Sequence, residues 1–260
     1  MNVIKPISLL GEPFFYRGLL IYPVTMKNYL DFMYAVDVLR QKKNRIPDIA
    51  VIKMSYLKFI FDYLMVQEDG ERYEYMLRLV LALSLSPEQS QSIIFKTDGN
   101  SYFMEYTTIE GTTQVITEKD FDEFKKVILD LNGIEDANYE ISEEVEKALE
   151  EAEKEKAKMH NRKPTTVEDM IDSYHVGAGF SYAEIGEEPI AKFIKNVKRF
   201  VNREDYVMFK TAELSGNVKF KQEIQHWLRP VESEGKYSDA RVDLNKFTKD
   251  FYEKVGGNSK

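Results

Sequence analysis

Residues 188–201 read EPIAKFIKNVKRFV and carry an unusually regular apolar pattern. Apolar side chains recur at the three- and four-residue spacing of an amphipathic helix, at Ile190, Phe193, Ile194, Val197, Phe200 and Val201. The pattern predicts a helix that buries this side. Asn202 with Asp205 predicts that a separate helix then begins and runs to about Leu214, with a stop near Gly216.

Two capping patterns precede this helix. Thr165 with Glu168, and Ser181 with Glu184, have the spacing at which two side chains satisfy each other's backbone N–H groups at a helix start. A last amphipathic pattern carries Leu244, Phe247 and Phe251. Together these patterns predict a compact helical C-terminal domain over residues 165–260.

The composition changes abruptly just upstream. Residues 142–158 read SEEVEKALEEAEKEKAK, with favourable i,i+4 charge pairs and only a narrow apolar stripe, formed by Val145, Ala148, Leu149, Ala152 and Met159. Such a helix is either a solvated connector or one strand of a short helical pairing. We therefore expect a charged helical connector over residues 136–164.

Residues 1–135 show both the two-residue period of β-strands and the three- and four-residue spacing of amphipathic helices. Residues 8–26 predict a β-hairpin or extended arm, and short β patterns at 93–95, 102–106 and 114–116 predict a β-meander that leads into a helix capped by Thr117. Helical patterns follow Thr25, span 49–66 and 71–83, and begin again at Pro87. The predicted fold class is mainly α with a small β component (α+β), with a helical N-terminal domain that carries the hairpin and the meander.

The stretch 49–66 is the most hydrophobic of the chain, but Lys53, Lys58 and Asp62 interrupt it, which favours a core helix over a membrane span. The N-terminus lacks the pattern of a signal peptide. We therefore expect a protein of the cytoplasm with no membrane partner.

Composition limits the chemistry. The 260 residues include no cysteine, which excludes disulfides, Cys-ligated metals and thiol catalysis. A net charge of −8 argues against a surface that binds nucleic acid on all sides. His160, His175 and His226 lack a zinc-binding spacing, so we predict no metal site.

Two further motifs have ordinary explanations. The sequence Gly177-Ala178-Gly179 follows a helix where a phosphate-binding loop would follow a strand, so it predicts a helix–helix turn. The acidic residues Asp169, Asp172, Glu187 and Glu188 lie near helix starts, where capping explains them. We expect no enzyme, no catalytic residue and no cofactor.

Three features are candidates for partner binding. The first is the apolar arm, with Phe14, Phe15, Leu19 and Leu20; the alternative is that the arm packs on the N-terminal helices. The second is the region of the single tryptophan, Trp227. The third is a basic patch opposite the apolar stripe of 188–201, formed by Lys192, Lys195, Lys198, Arg199 and Arg203. The pattern is typical of a solvated helix face, and the alternative is a binding site for nucleic acid or for an acidic protein partner.

Three segments carry a resemblance to a family. They are DFDEFKKVILDLNGIEDANYEISEEVEKALEEAEKEK (120–156), TVEDMIDSYHVGAGFSYAEIGEEPIAKFIKNVKRF (166–200) and YVMFKTAELSGNVKFKQEIQHWL (206–228). Over roughly residues 119–254 the chain resembles the tail assembly chaperone-like proteins of phages of Gram-positive bacteria. The hairpin arm and the meander lie outside this pattern, and the helical unit comes last in the chain, unlike the order in the simplest members.

The resemblance implies a non-enzymatic assembly factor of the host cytoplasm. Such a factor binds the long helical tape measure protein and tail-tube subunits before the tail polymerises. Two alternatives remain: a structural subunit of the tail or baseplate, which would be found in the virion, and a nucleic-acid-associated phage protein using the basic patch. A homo-oligomer is also open.

Overall fold

A computed structural model describes residues 11–136, 165–216, 220 and 223–228 of the chain. Contacts divide the chain into two units, 1–140 with 165–229 and 141–164 with 230–260. All described residues belong to the first unit, while the predicted connector helix and the last predicted helix lie outside them. The described residues are mainly α-helical with two small antiparallel sheets, which confirms the predicted fold class.

The predicted hairpin is present, with strands β1 (Phe14–Tyr16) and β2 (Leu19–Ile21). Arg17 and Gly18 form its two-residue turn, and both have positive φ, 47° and 83°. This conformation matches the twist of the strands, and it favours glycine at the second position. A Cβ on Gly18 would also lie 2.6 Å from the Thr108 methyl group.

The predicted helix after Thr25 consists of a 3-10 turn (Met26–Asn28), α1 (Tyr29–Val36) and a second 3-10 turn (Asp37–Leu39). A further 3-10 turn, Lys43–Arg45, precedes the next helices.

The prediction of one continuous helix over 49–66 is wrong. The segment forms α2 (Ile49–Lys53), α3 (Tyr56–Phe59) and a π-helical turn (Ile60–Leu64). Met54 is extended, and the Ser55 hydroxyl accepts a hydrogen bond from the N–H of Lys58, so a new helix begins at this cap.

The meander and the helices that flank it follow the predicted order. Helix α4 (Gly70–Ser84) is followed by α5 (Pro87–Ser92), which the Ser86 hydroxyl caps. Strands β3 (Ile94–Thr97), β4 (Tyr102–Thr107) and β5 (Thr113–Thr117) pair in that order, and Thr117 caps α6 (Glu118–Leu131). Apolar side chains of α6 and of the inner sheet face form one core with α3 and α4.

Residues 165–216 form three helices, and two details differ from prediction. The capping box of α7 (Val167–Ala178) joins Thr166 and Asp169, one residue later than predicted. Ser181 and Glu184 cap α8 (Tyr182–Glu187) as predicted. Helix α9 (Ile190–Leu214) runs for 25 residues through Asn202 and Asp205, where a new helix was predicted. It contains no Gly or Pro, the residues at which a helix most often kinks or ends.

The start of α9 joins the residues that follow the hairpin. Ile190 donates its N–H to the Val24 carbonyl at 2.9 Å, and Met26 donates to the Glu188 carbonyl at 2.9 Å. Thr25 and Pro189 form an isolated antiparallel bridge. The compact unit therefore includes residues assigned above to two separate domains, while the connector boundaries at 136 and 164 stay a prediction.

Candidate protein-binding surfaces

The hairpin arm packs into the fold. Leu19 is fully buried, Phe14 and Leu20 are half-buried, and only Phe15 is exposed. Among the arm residues predicted to bind a partner, Phe15 is thus the one open to solvent.

Polar contacts fix the arm against α6 and the meander. The Tyr16 hydroxyl donates to Glu123 Oε2 at 3.0 Å, and burial together with this carboxylate raises the pKa of Tyr16. Arg17 pairs with Asp120 at 2.7 Å, and the Tyr106 hydroxyl donates to the Arg17 carbonyl at 2.6 Å. These contacts hold the hairpin as a part of the core.

Two apolar rows at seven-residue spacing run along α9. One row consists of Phe193, Phe200, Val207 and Leu214, and the other of Ile194, Val201 and Met208. In the first half of the helix, side chains of both rows pack into the core. Phe193 and Phe200 contact Tyr174 of α7 edge-to-face, with ring centroids 5.8 and 6.4 Å apart. Gly177 of α7 leaves room for Phe200, because a Cβ there would lie 2.1 Å from its Cζ.

The second half of α9 carries the same rows into solvent. The exposed fraction of the first row rises from 1% at Phe193 to 50% at Val207 and 84% at Leu214. In the second row, Ile194 is half-buried, whereas Val201 and Met208 are about half exposed or more. We define the distal surface as Val201, Val207, Met208 and Leu214.

The Trp227 region contacts α9. The Arg199 guanidinium donates to the Trp227 carbonyl at 2.9 Å, and Trp227 itself is half-buried. The His226 ring lies 4.9 Å from that of Tyr206, and Phe220 lies 5.6 Å from Phe209. The structure thus brings together two features that the sequence treated separately, one cation of the basic patch and Trp227.

The basic patch is on the solvent side of α9. Lys195, Lys198 and Arg203 are exposed and form no ion pair with a residue in the described ranges. Lys192 is half-buried and lies 3.4 Å from Glu188 Oε1. The three exposed cations are therefore open to an anionic partner.

The acidic residues that could form a catalytic pair have structural partners. Asp169 accepts from the backbone N–H and hydroxyl of Thr166, which lowers its pKa. Asp172 accepts from the Tyr182 hydroxyl at 3.1 Å and thereby raises the pKa of that tyrosine. Glu187 pairs with Lys27 at 3.0 Å.

Histidines and glycines also have local roles. His175 Nδ1 lies 2.6 Å from the Phe180 carbonyl oxygen, and its ring stacks on Tyr182. Gly179 ends α7 with a φ of 79°, as a helix–helix turn requires. His160 lies outside the described residues, which hold no group of three or more metal-ligating side chains.

Comparison with protein-family models, with curated proteins and with solved structures finds no match for this chain. Among the helices of the described ranges, none combines the length and the apolar character needed to cross a membrane.

The distal surface was missed because the sequence predicted a helix break at Asn202. The signal that reveals it is the seven-residue spacing of the two rows, which continues through residue 214 without Gly or Pro.

Proposed function

We propose that the protein is a non-enzymatic, chaperone-like assembly factor of a phage tail, which binds the tape measure protein or tail-tube subunits. The observation that carries the proposal is the distal surface of α9. Its exposed apolar side chains continue, along one side of α9, the rows that pack into the core in the first half of the helix, and an exposed apolar side of a helix is a surface on which a partner helix can pack. The family resemblance over roughly residues 119–254 supports the choice of partner, because it implies a factor that binds a long helical protein.

The proposed mechanism is reversible masking of apolar surface. Partly exposed side chains of Val201, Val207, Met208 and Leu214 would cover an apolar stripe of the partner helix until tail subunits replace the factor. The first half of α9, held in the core by Phe193, keeps the surface in a fixed orientation. No covalent step is required.

The first test is recovery of partners from infected cells. We expect the tagged protein to co-purify with a long helical protein and a tube subunit and to be missing from purified particles. Recovery in the particles at fixed copy number would instead establish a structural tail or baseplate subunit, and would overturn the chaperone proposal.

A pair of double variants localises the surface. Val207→Glu with Leu214→Glu places two charges on the distal surface, and we expect it to abolish recovery of the partner without unfolding the protein, because both positions are exposed. Lys195→Glu with Lys198→Glu is the matched control on another side of the same helix. Loss of the partner in the control alone would assign binding to the basic patch.

The second candidate function, association with nucleic acid, has one supporting observation, the three exposed cations Lys195, Lys198 and Arg203. It requires an affinity that falls steeply with salt, because bound phosphates release counterions. Single-stranded and duplex DNA oligonucleotides titrated at two salt concentrations test this candidate, and Lys195→Glu with Lys198→Glu should then abolish binding.

A further inference from the structure

Strand β3 forms an edge of the three-stranded sheet. It pairs with β4 on one side, and no strand within the described ranges pairs with its other side. Edge strands present a row of backbone donors and acceptors to which another extended chain can add.

The register shows which groups of β3 face outward. Asp98 donates its N–H to the Ser101 carbonyl at 3.2 Å, which makes this a hydrogen-bonded pair of the antiparallel ladder. Such pairs alternate along a ladder, so Lys96 with Phe103 is the next one. The N–H and C=O groups of Thr97, between these pairs, and those of Phe95, on the other side of Lys96, therefore point away from β4.

A cleft of about 350 Å³ runs along this edge. It is lined by Ile94 and Phe95 of β3, whose side chains point to opposite faces of the sheet, and by Ile93 directly before the strand. A cavity lined by residues of both faces reaches the edge of the strand. Its apolar wall is formed by Phe61 of the π-helical turn, Met65 directly after this turn and Leu77 of α4.

The floor of the cleft is well packed. The Phe61 ring stacks on Tyr102 at 4.9 Å and contacts Phe95 at 5.2 Å. The Tyr102 hydroxyl in turn donates to Asp62 at 2.6 Å. The wall that an entering side chain would meet is thus pre-formed, which lowers the cost of ordering on binding.

The neighbouring segment gives the site a charge. Residues 68–78 contain two basic side chains, Arg72 and Arg78, and four acidic ones: Glu68, Asp69, Glu71 and Glu74. Both arginines already pair, with Asp69 at 3.9 Å and Glu74 at 2.8 Å. Glu74 and Arg78 line the cleft, and Glu71 lies one helical turn before Glu74 on the same side of the helix. Glu68 and Glu71 are exposed and make no ion pair with a described residue, so this segment, which we call the acidic rim, has a net negative charge.

We propose that the edge of β3 and this cleft form a docking site for one extended peptide of a partner protein, with an apolar side chain in the cleft and a basic residue beside Glu68 and Glu71. The backbone of the peptide would exchange hydrogen bonds with Phe95, and the apolar pocket would select its side chain. A basic peptide complements the charge of the acidic rim, whereas the β3 edge of a second copy offers one basic side chain, Lys96, which already pairs with Glu105 at 2.7 Å. The site is separate from the distal surface and does not depend on the function proposed for it.

The probe is a synthetic nine-residue peptide of alternating valine and threonine with a central leucine and a lysine at each end. We expect it to bind the full chain and to shift the backbone amide resonances of Phe95 and Thr97. The same peptide with N-methyl groups on alternate backbone nitrogens cannot complete the ladder and should not bind.

Two substitutions form a matched pair. Ile94, Glu105 and Val115 lie in one row across the outer sheet face, and Ile94 and Val115 occupy opposite edges at 52% and 43% exposure. Ile94→Lys should weaken peptide binding by about tenfold or more, because it adds a charge at the cleft and removes an apolar contact. Val115→Lys, at a similar exposure on the opposite edge of the sheet, should leave the affinity unchanged.

A charge exchange tests the rim. Glu68→Lys with Glu71→Lys should weaken binding of the lysine-flanked peptide and strengthen that of a glutamate-flanked one. Equal weakening by Ile94→Lys and Val115→Lys, binding of the N-methylated peptide, or amide shifts confined to β5 would overturn the proposal. A concentration-dependent dimer that Ile94→Lys dissociates would also overturn it, because the occupant would then be a second copy.

Discussion

The two halves of α9 carry the same apolar rows but differ in what covers them. In the first half, Phe193 is buried and packs edge-to-face on Tyr174, while Phe200 fits against Gly177. In the second half, Val207 and Leu214 occupy the same row and are exposed. An amphipathic pattern therefore identifies the side of a helix that can be buried, and neighbouring elements decide where burial ends. The contrast makes the second half the place to look for a partner.

The largest expected difference is in stability. Phe193→Ala removes a buried ring and leaves a cavity, so we expect a loss of about 3–5 kcal/mol in the free energy of unfolding. Leu214→Ala, in the same row, should change it by no more than about 0.5 kcal/mol, because the side chain is already exposed. Urea denaturation followed by circular dichroism measures both. Similar losses for the two variants would show that the distal row is covered in solution.

A smaller effect tests the contact between α7 and α9. In Gly177→Ala, the new methyl group would lie 2.1 Å from Phe200 Cζ, so the ring must shift. Crowding of this kind costs about 1–3 kcal/mol, partly offset by a gain of about 1 kcal/mol in helix propensity.

Gly186→Ala in α8 is the matched control. The nearest atom to its new methyl group is the Lys27 Cβ at 3.9 Å, so only the propensity gain, up to about 1 kcal/mol, should remain. Gly186→Ala should therefore raise the urea midpoint, whereas Gly177→Ala should lower it or leave it unchanged. A stabilising Gly177→Ala would mean that α7 and α9 are less closely packed than the structure shows.

Local signals predicted most of the fold. The caps at Ser86, Thr117 and Ser181, and the period-two patterns of the meander, specify structure within a few residues, and all are present. The misplaced helix break at Asn202 and the missed break at Ser55 have a common cause. Both residues can cap a helix, and whether they do depends on tertiary packing.

The binding surfaces were harder to predict for a related reason. Leu19 and Phe15 are equally apolar in sequence, yet only packing against the rest of the fold decides that Leu19 is buried and Phe15 exposed. The contact of Arg199 with Trp227 joins residues 28 positions apart, a distance over which no helical or strand period operates. The cleft beside β3 likewise depends on the approach of α4 to the edge of the sheet.

The smallest expected effect concerns the helix caps beside the buried half of α9. The Ser181 hydroxyl donates to Glu184 at 2.7 Å, and this bond, followed by the backbone N–H, lowers the pKa of Glu184. A lowered pKa in the folded state means that the cap stabilises the fold above the ordinary pKa of glutamate and loses this contribution as the pH falls through the folded value. Ser181→Ala should raise the pKa of Glu184 toward its ordinary value, as measured by NMR titration of its side-chain carboxyl.

The cap of α7 provides the comparison that sharpens this result. For Asp169 the backbone N–H of Thr166 is the larger cause of the lowered pKa, and the hydroxyl is the smaller one. Since Thr166→Ala removes only the hydroxyl, it should reverse the smaller share of the lowered pKa of Asp169, whereas Ser181→Ala should reverse the larger share of the lowered pKa of Glu184. Loss of the larger share in both variants would contradict this assignment, and would mean that side-chain hydroxyls dominate both caps.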